Sequence, residues 1–170
     1  AKHKFMIALV IEDSKDFVNK LLVQNTFDKF YVGESLIRTF TDFRIGGNLN
    51  KDYYTLEEQE AMNGRTQVVW ADVKPFVFSV IKGHKLPLGF QFIFELSAEN
   101  RHWLMEHNKT SVSEDEIKGL YMNIRYEKGE IICVSGISFK TFVMDKTVER
   151  LWDDTVKQFF RQNHIAFSEK

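Results

Sequence analysis

The sequence is poor in the residues that mark several classes of protein. It has one cysteine and two prolines in 170 residues. A single cysteine excludes an intramolecular disulfide, and so few prolines with 44% hydrophobic residues are not a disordered composition. No apolar run approaches the roughly 18 residues of a membrane span. The short run 5–11 leads directly into Glu12-Asp13 without a small-residue cleavage site. We therefore expect a cytoplasmic protein without a membrane partner.

An excess of charge of either sign is also missing. Lysine and arginine number 23 and aspartate and glutamate 24, which gives a formal net charge of −1 with neutral histidine. This balance argues against nucleic-acid binding driven by bulk electrostatics, because such binding requires many basic contacts to phosphate. A local basic patch stays open as an alternative.

Aromatic residues are abundant instead. The chain has 16 Phe, 5 Tyr and 3 Trp, which together make up 14% of its residues. Each aromatic side chain buries on the order of 150–250 Å². A substantial hydrophobic core can therefore form without disulfides or a structural metal, and we expect the phenylalanines to lie in that core.

Hydrophobic periodicity predicts an α+β fold with a mainly antiparallel sheet and covering helices. The predicted strands are 5–11, a hairpin over 30–47 with its turn at Thr41-Asp42, 88–96, a hairpin over 119–135 turning at Lys128-Gly129, and 139–143. The predicted helices are 14–25, 56–62 and 98–107 and a long amphipathic C-terminal helix capped by Asp145. Residues 67–82 fit either a helix or a strand, because Pro75 interrupts a helical pattern; the helix is favoured.

The clearest strand runs from Leu88 to Leu96. Its apolar residues Leu88, Phe90, Phe92, Phe94 and Leu96 fall on one face and Glu95 on the other. We predict a single domain over 1–170. The order of strand, helix and hairpin occurs twice, in 5–47 and 88–135, which raises the hypothesis of a duplicated β-α-β-β unit.

Short segments throughout the chain give it a likeness to a known family. They are Ile11-Glu12-Asp13, Phe17, Asn19-Lys20-Leu21-Leu22, Thr26-Phe27-Asp28, Asn50-Lys51-Asp52, Pro75-Phe76, Ile81-Lys82-Gly83, Asn123-Ile124-Arg125-Tyr126 and Asp145-Lys146-Thr147. On these residues the chain resembles a family of small bacterial proteins of unknown function. The resemblance implies no activity and no site.

Motifs for metal, nucleophilic or phosphate chemistry are missing. His102 and His107 are five residues apart and so lie on different faces of a helix, which does not make a metal site. Ser135-Gly136-Ile137-Ser138 is not a nucleophile elbow, and Gly46-Gly47 lacks the rest of a phosphate-binding loop. We predict no catalytic residue, no metal and no cofactor.

Mixtures of aromatic and basic residues are the strongest candidates for a binding surface. Tyr121 and Arg125 share a strand face and Lys128 lies at the adjoining turn, while Lys51 and Tyr53 occur in a polar segment. Exposed aromatic and basic side chains on a sheet can stack and neutralise single-stranded nucleic acid, and they are also enriched at protein interfaces. An ordinary polar sheet face is the simpler interpretation.

Three functional hypotheses follow. The first is a binding or interaction module without catalytic activity, with a protein partner or a second copy of the chain. The second is a nucleic-acid-associated protein that uses the aromatic and basic sheet face. The third is an enzyme whose pocket brings together distant residues, for which Lys82, His84 and Glu95 are the first to inspect.

Overall fold

A computed structural model describes residues 4–82 and 85–170 and shows one antiparallel sheet with five α-helices. The strands are β1 (Lys4–Ile11), β2 (Tyr31–Val32), β3 (Ser35–Arg38), β4 (Asp42–Ile45), β5 (Gly89–Glu95), β6 (Ile117–Glu127), β7 (Glu130–Phe139) and β8 (Phe167–Glu169). The helices are α1 (Ser14–Leu22), α2 (Leu56–Ala61), α3 (Trp70–Ile81), α4 (Ala98–Glu106) and α5 (Thr147–Gln162). The strands are ordered β4-β3-β5-β6-β7-β1-β8, and β2 also pairs with β5. The predicted α+β class is confirmed.

One face of the sheet is packed with aromatic side chains. Phe90, Phe92 and Phe94 of β5 are 5%, 0% and 0% exposed, as the alternation of this strand predicts. The Phe94 ring lies 5.5 Å from that of Phe27 and 5.0 Å from that of Trp70. The phenylalanines of β5 are therefore core residues.

Helices α1, α3 and α5 contribute to this core. The indole Nε1 of Trp70 donates to the carbonyl of Leu21 at 2.8 Å, which joins α3 to α1. In α5, Trp152 is 2% exposed and its Nε1 donates to the Tyr121 carbonyl of β6 at 2.9 Å. We refer to the surface of the sheet that these helices cover as the core face.

The ambiguous stretch forms a helix. Helix α3 continues through Pro75, whose ring nitrogen cannot donate to the carbonyl of Ala71. Burial of Trp70 and Val77 offsets the missing hydrogen bond. Gly83, the predicted helix stop, lies outside the described residues.

Three local predictions are wrong, and each concerns where a strand begins or ends. The first hairpin turns at 39–41, so Asp42 begins β4 and the Phe40 side chain is 93% exposed in the turn. Leu88 precedes β5 and is 65% exposed. The predicted strand over 139–143 is absent from the described residues, because β7 ends at Phe139, opposite the first residue of β6, Ile117, and 140–143 is not a strand.

Strand β8 was not predicted. After α5 the chain reverses at His164, which has a φ of 58°, and β8 pairs with the edge of β1.

Helix α5 begins at Thr147 with Lys146 as its N-cap, and Asp145, the predicted cap, accepts from the Thr147 amide at 2.6 Å. The hydrogen bonds of Asp145 with Ser111 and Thr147 lower the pKa of its carboxyl to about 2.

The two predicted β-α-β-β units pair differently. In the second unit β5, β6 and β7 are neighbours, whereas in the first unit β1 lies at the opposite side of the sheet from β3 and β4. The hypothesis of a duplication stays a prediction. The arrangement leaves the sheet face opposite the core face with polar side chains from β3, β5 and β6, and we call it the open face.

Candidate functional site

The polar side chains of the open face are brought together by the register of β5 and β6. Glu95 lies opposite Tyr121, Ile93 opposite Asn123 and Gln91 opposite Arg125. Because alternate residues of a strand point to opposite faces, all of these side chains project away from the Phe90, Phe92 and Phe94 core.

Glu95 is the centre of a polar cluster at one end of the open face. Its side chain is buried, with a residue exposure of 8%, and it accepts hydrogen bonds from the Tyr121 hydroxyl and the Gln67 amide. Arg101 Nη1 lies 3.8 Å from Glu95 Oε2. We call Glu95, Tyr121, Gln67 and Arg101 the Glu95 cluster.

Burial sets the electrostatics of this cluster. Loss of water around the carboxylate raises the pKa of Glu95, and the charge of Arg101 and the hydrogen bonds from Gln67 and Tyr121 oppose that rise. Burial, followed by the negative charge of Glu95, raises the pKa of the Tyr121 phenol to about 12. Tyr121 therefore stays protonated and acts as a hydrogen-bond donor at physiological pH.

A glycine and a helix start position the members of the cluster. The ring of Tyr121 lies over Gly119, where an added Cβ would approach the tyrosine hydroxyl to 2.3 Å. At the start of α4, Ser97 Oγ accepts from the Asn100 amide at 3.2 Å and the Tyr31 hydroxyl accepts from the Ala98 amide at 3.3 Å. These contacts fix the helical turn that carries Arg101.

Arg101 lies between two carboxylates. Its Nε is 3.8 Å from Glu114 Oε2, while Nη1 faces Glu95. The Nε atom is buried and makes no hydrogen bond with any residue that the structure describes. Glu114 also contacts His102 Nδ1 at 2.8 Å, and this hydrogen bond is the main cause that raises the pKa of His102.

A cleft of about 680 Å³ opens above the Glu95 cluster. Its walls come from the start of α4, from β6 and from the segment 62–67 between α2 and α3. Arg65 and Lys118 line it together with Arg101, while Glu95 and Glu99 are its acidic lining residues. This volume lies in the range of about 300–1,000 Å³ typical of small-molecule sites.

The residues predicted to form a binding surface are only partly brought together. Tyr121 is half-buried within the Glu95 cluster, and Arg125 is exposed further along the same face. Lys128, with a φ of 52°, lies in the turn after β6 and lines a second cleft of about 380 Å³ with Arg125 and with the carboxylates of Glu127 and Glu130. Lys128 and Gly129 both have positive φ, as expected for the predicted tight hairpin.

Lys51 and Tyr53 lie elsewhere, in a 3-10 turn over Lys51–Tyr53. Tyr53 is 85% exposed and its ring contacts that of Tyr54, with the centroids 5.3 Å apart. The backbone carbonyl of Lys51 accepts from Gln59 Nε2 of α2 at 2.8 Å. Among the described residues, Lys51 and Tyr53 line neither the cleft at Tyr121 nor the one at Arg125 and Lys128.

Of the residues named for an enzyme, Glu95 lines the cleft and Lys82 does not. His84 lies outside the described residues, and the Lys82 ammonium lies 5.4 Å from the centre of the Phe78 ring. Within 4–82 and 85–170, His, Cys, Asp and Glu side chains form no group of three or more that could hold a metal. Cys133 is fully buried, and burial raises the pKa of its thiol.

Sequence reasoning missed Arg101, Gln67, Tyr31 and Lys118. The alternation of β5 does place Glu95 on the face opposite the core, which is a signal that a carboxylate lies there. Nothing in the sequence indicates that the first turn of α4 and the segment 62–67 meet above Glu95, because the two are more than thirty residues apart in the sequence.

The comparisons with known proteins give one match. The profile of a family of unknown function, DUF5721, matches residues 20–168, so the chain belongs to that family. This confirms the resemblance to a family of unknown function, and a bacterial origin stays a prediction. No curated protein and no solved structure matches the chain. In the described residues, no helix has the length and hydropathy required to span a membrane.

Proposed function

We propose that this member of a family of unknown function is a binding module whose ligand carries an acidic group, a carboxylate or a phosphate, and lies in the cleft above the Glu95 cluster. The observation that carries the proposal is the cleft itself, with a buried and hydrogen-bonded polar cluster at its base. Concave sites with a few converging polar groups are the usual form of ligand-binding sites.

The charges of the cleft favour an acidic ligand. Arg101 and Glu95 face each other and offset each other's charge, so Arg65 and Lys118 outnumber the remaining acidic lining residue, Glu99. Glu95 already faces Arg101 and accepts hydrogen bonds from Tyr121 and Gln67, so its negative charge is largely compensated within the protein. Arg65 and Lys118 form no ion pair among the described residues, which leaves their charges available to the ligand.

Titration with simple acids tests this proposal. Inorganic phosphate, succinate and an aspartate-rich peptide are added to ¹⁵N-labelled protein, and amide and Arg side-chain NMR signals are followed. We expect saturable shifts at Gln67, Arg101 and Tyr121 with at least one probe. The free acids and the peptide separate a small-molecule ligand from an acidic segment of a protein.

Matched variants locate the site. Arg65→Ala and Lys118→Ala, which change lining cations outside the buried cluster, should each weaken binding by roughly 3- to 10-fold, as expected for the loss of one charge contact. Arg125→Ala removes an exposed cation from the same strand as Tyr121 but outside the cleft, and should leave binding unchanged. Equal effects of all three variants, or the absence of saturable binding, would contradict the proposal.

An enzyme is the second candidate, because Glu95 is a buried carboxyl with a raised pKa in a cleft. Such groups are candidates for general acid–base catalysis. Glu95→Gln separates the two functions. If the protein only binds its ligand, the bound probe stays chemically unchanged over time in both proteins; turnover by the wild type that Glu95→Gln loses would favour the enzyme.

The nucleic-acid hypothesis receives less support from the open face. Arg125 and Lys128 share their cleft with Glu127 and Glu130, and the Tyr121 hydroxyl is engaged by Glu95. A mobility-shift assay at low salt with a single-stranded oligonucleotide tests it, because binding through Arg125 and Lys128 should weaken in the two alanine variants.

We place the module in the cytoplasm, since a lone buried thiol suits a reducing compartment.

A further inference from the structure

Strand β4 lies at the end of the sheet, and no other strand of the described residues pairs with its outer side. A strand edge with unpaired backbone groups is a template for pairing with another chain. We propose that β4 pairs antiparallel with β4 of a second copy of this chain, with Phe43 opposite Phe43 of the second copy.

The direction of the backbone groups follows from the neighbouring strand. The Leu88 amide donates to the Arg38 carbonyl at 2.8 Å, so the backbone polar groups of Arg38 point toward β5. Arg38 lies opposite Asp42, which makes this pair the non-hydrogen-bonded type of an antiparallel ladder. The backbone N–H and C=O of Asp42 therefore point to the free edge, and those of Arg44 do the same two residues later.

Charge selects one register from those that the backbone allows. Pairing through the outward groups can place Asp42 opposite Asp42, Arg44 opposite Arg44, or Asp42 opposite Arg44 of the second copy. Like charges directly opposite each other destabilise a strand pair and opposite charges stabilise it. Only the third register is favourable, and two-fold symmetry then forms the Asp42–Arg44 pair twice.

The side chains on the other face of β4 suit the same register. Phe43 would meet Phe43 of the second copy in a non-hydrogen-bonded pair, in which facing side chains lie closest. The Phe40 ring, 93% exposed, lies 5.9 Å from the Phe43 ring. The interface would therefore bring together four aromatic rings, two from each copy, and remove two exposed Phe40 side chains from water.

The opposite edge of the sheet lacks this self-complementarity. In β8, the amide of Lys170 donates to the Ala8 carbonyl, so Phe167 and Glu169 are the residues whose backbone groups point outward. They offer one negative charge and no cation for a symmetric pair. The Glu169 carboxylate is also 2.8 Å from Lys157 Nζ, a closer ion pair than that of Asp42 in β4, whose Oδ1 lies 3.8 Å from Arg38 Nε with both side chains half-exposed.

Charge reversal tests the register. Sedimentation velocity from micromolar to millimolar protein should show a weak reversible dimer of the wild type, as expected for an interface below about 1,200 Å². Asp42→Arg and Arg44→Asp should each raise the dissociation constant roughly 10- to 100-fold, because two attractive pairs become repulsive. The double variant, Asp42→Arg with Arg44→Asp, restores opposite charges and should recover most of the association.

Two controls keep the result specific. Glu127→Arg reverses an exposed charge on β6, an interior strand of the sheet, and should leave association unchanged. Circular dichroism and thermal melting check that every variant is folded. A wild type that is monomeric at all concentrations overturns the proposal, as does a dimer that is insensitive to the single reversals.

A disulfide provides a second measurement. In the proposed register the Cα atoms of the two Phe43 residues would be about 4.5 Å apart, which a disulfide can span. Phe43→Cys should therefore form a covalent dimer under mild oxidation. Thr41→Cys should not, because the Thr41 positions would lie about 14 Å apart along the strands. The reverse pattern would contradict this register.

Discussion

Phe94 and Glu95 are neighbours in β5, yet they occupy opposite faces of the sheet and different environments. Phe94 lies among the rings of Phe27, Phe30 and Trp70. Glu95 is nearly as buried, but its surroundings are Tyr121, Gln67 and Arg101. Burial on the core face removes apolar surface from water and stabilises the fold. Burial on the open face removes a carboxylate from water, which costs free energy.

The contrast extends to Asn123 in β6. Asn123 is 7% exposed, and its Oδ1 atom is buried without a hydrogen-bond partner in the described residues 4–82 and 85–170. Its flanking positions in neighbouring strands are Ile93 and Val134. Uncompensated buried polar groups are uncommon in folded proteins and often coincide with sites of function. The open face therefore carries polar groups that folding alone does not favour.

The largest test of this contrast compares adjacent residues of β5. Phe94→Ala should lower the free energy of unfolding by about 3–5 kcal/mol, because it removes a fully buried ring and leaves a cavity. Ile93→Ala, on the open face and partly exposed, should cost about 1 kcal/mol. Urea denaturation followed by circular dichroism measures both. Equal losses would contradict the division of the sheet into a core face and an open face.

The next largest effect on the free energy of unfolding is expected at Ser135, a polar residue on the core face. Ser135 is fully buried; its Oγ accepts from the Ile7 amide at 3.2 Å and donates to Asp153 Oδ1 at 2.7 Å. Ser135→Ala leaves both partners without this hydrogen bond and should cost about 1–2 kcal/mol. It should also raise the pKa of Asp153 further, since burial already raises that pKa and the serine hydrogen bond opposes the rise.

Two measurements check this prediction. Denaturant unfolding gives the loss of stability, with Ser168→Ala, an exposed position in β8, as the control. An NMR titration of the carboxyl carbons gives the pKa of Asp153. An unchanged pKa in the Ser135→Ala protein would show that the hydrogen bond does not hold the ionised form of the aspartate.

A smaller effect of opposite sign is expected at Asn123. Asn123→Val removes the unpaired Oδ1 and places a β-branched residue, which suits a strand, between Ile93 and Val134. We expect a gain of about 1 kcal/mol in the free energy of unfolding. Thermal melting and urea denaturation measure it, and Asn123→Ala, which removes the same atom but leaves space, separates the polar term from packing. Destabilisation by both variants would mean that the asparagine amide is satisfied in solution.

Much of the fold follows from local rules that operate within a few residues. Alternation identified the buried face of β5, and the helical stripe identified α5. Thr55-Leu56-Glu57-Glu58 has the sequence pattern of a capping box, and the Thr55 hydroxyl accepts from the Glu58 amide at 3.1 Å while the Glu58 carboxylate accepts from the Thr55 amide at 3.3 Å. Ser113-Glu114-Asp115-Glu116 has the same sequence pattern, but the Ser113 hydroxyl accepts from the Asp115 amide at 3.4 Å and caps a single 3-10 turn over Glu114–Glu116.

The candidate site depends on contacts that local rules do not reach. The sequence points to both Tyr121 and Glu95, but to Tyr121 as part of a binding surface and to Glu95 separately, as a residue of an enzyme pocket. Their pairing is set by the β5–β6 register, and Arg101 joins them through the placement of α4. Lys51 and Tyr53 have the same residue types as a binding surface, yet the chain places them in a separate turn. Residue type alone does not determine which side chains converge.

The smallest effect on stability, and the most informative about the open face, is expected at Glu95. Burial raises the pKa of Glu95 in the folded protein above its ordinary value of 4.5, so between that value and the raised pKa the folded state binds more protons than the unfolded state. The contribution of Glu95 to the stability of the wild type therefore falls as the pH rises through this interval. Glu95→Gln has no such proton and should lose this part of the pH dependence, so its stability relative to the wild type should rise from pH 4.5 toward neutrality. Urea denaturation across the interval measures the difference, with the exposed Glu127→Gln on the same face as the control. The opposite slope would mean that Arg101, Tyr121 and Gln67 more than compensate the buried charge, and the open face would then stabilise the fold as the core face does.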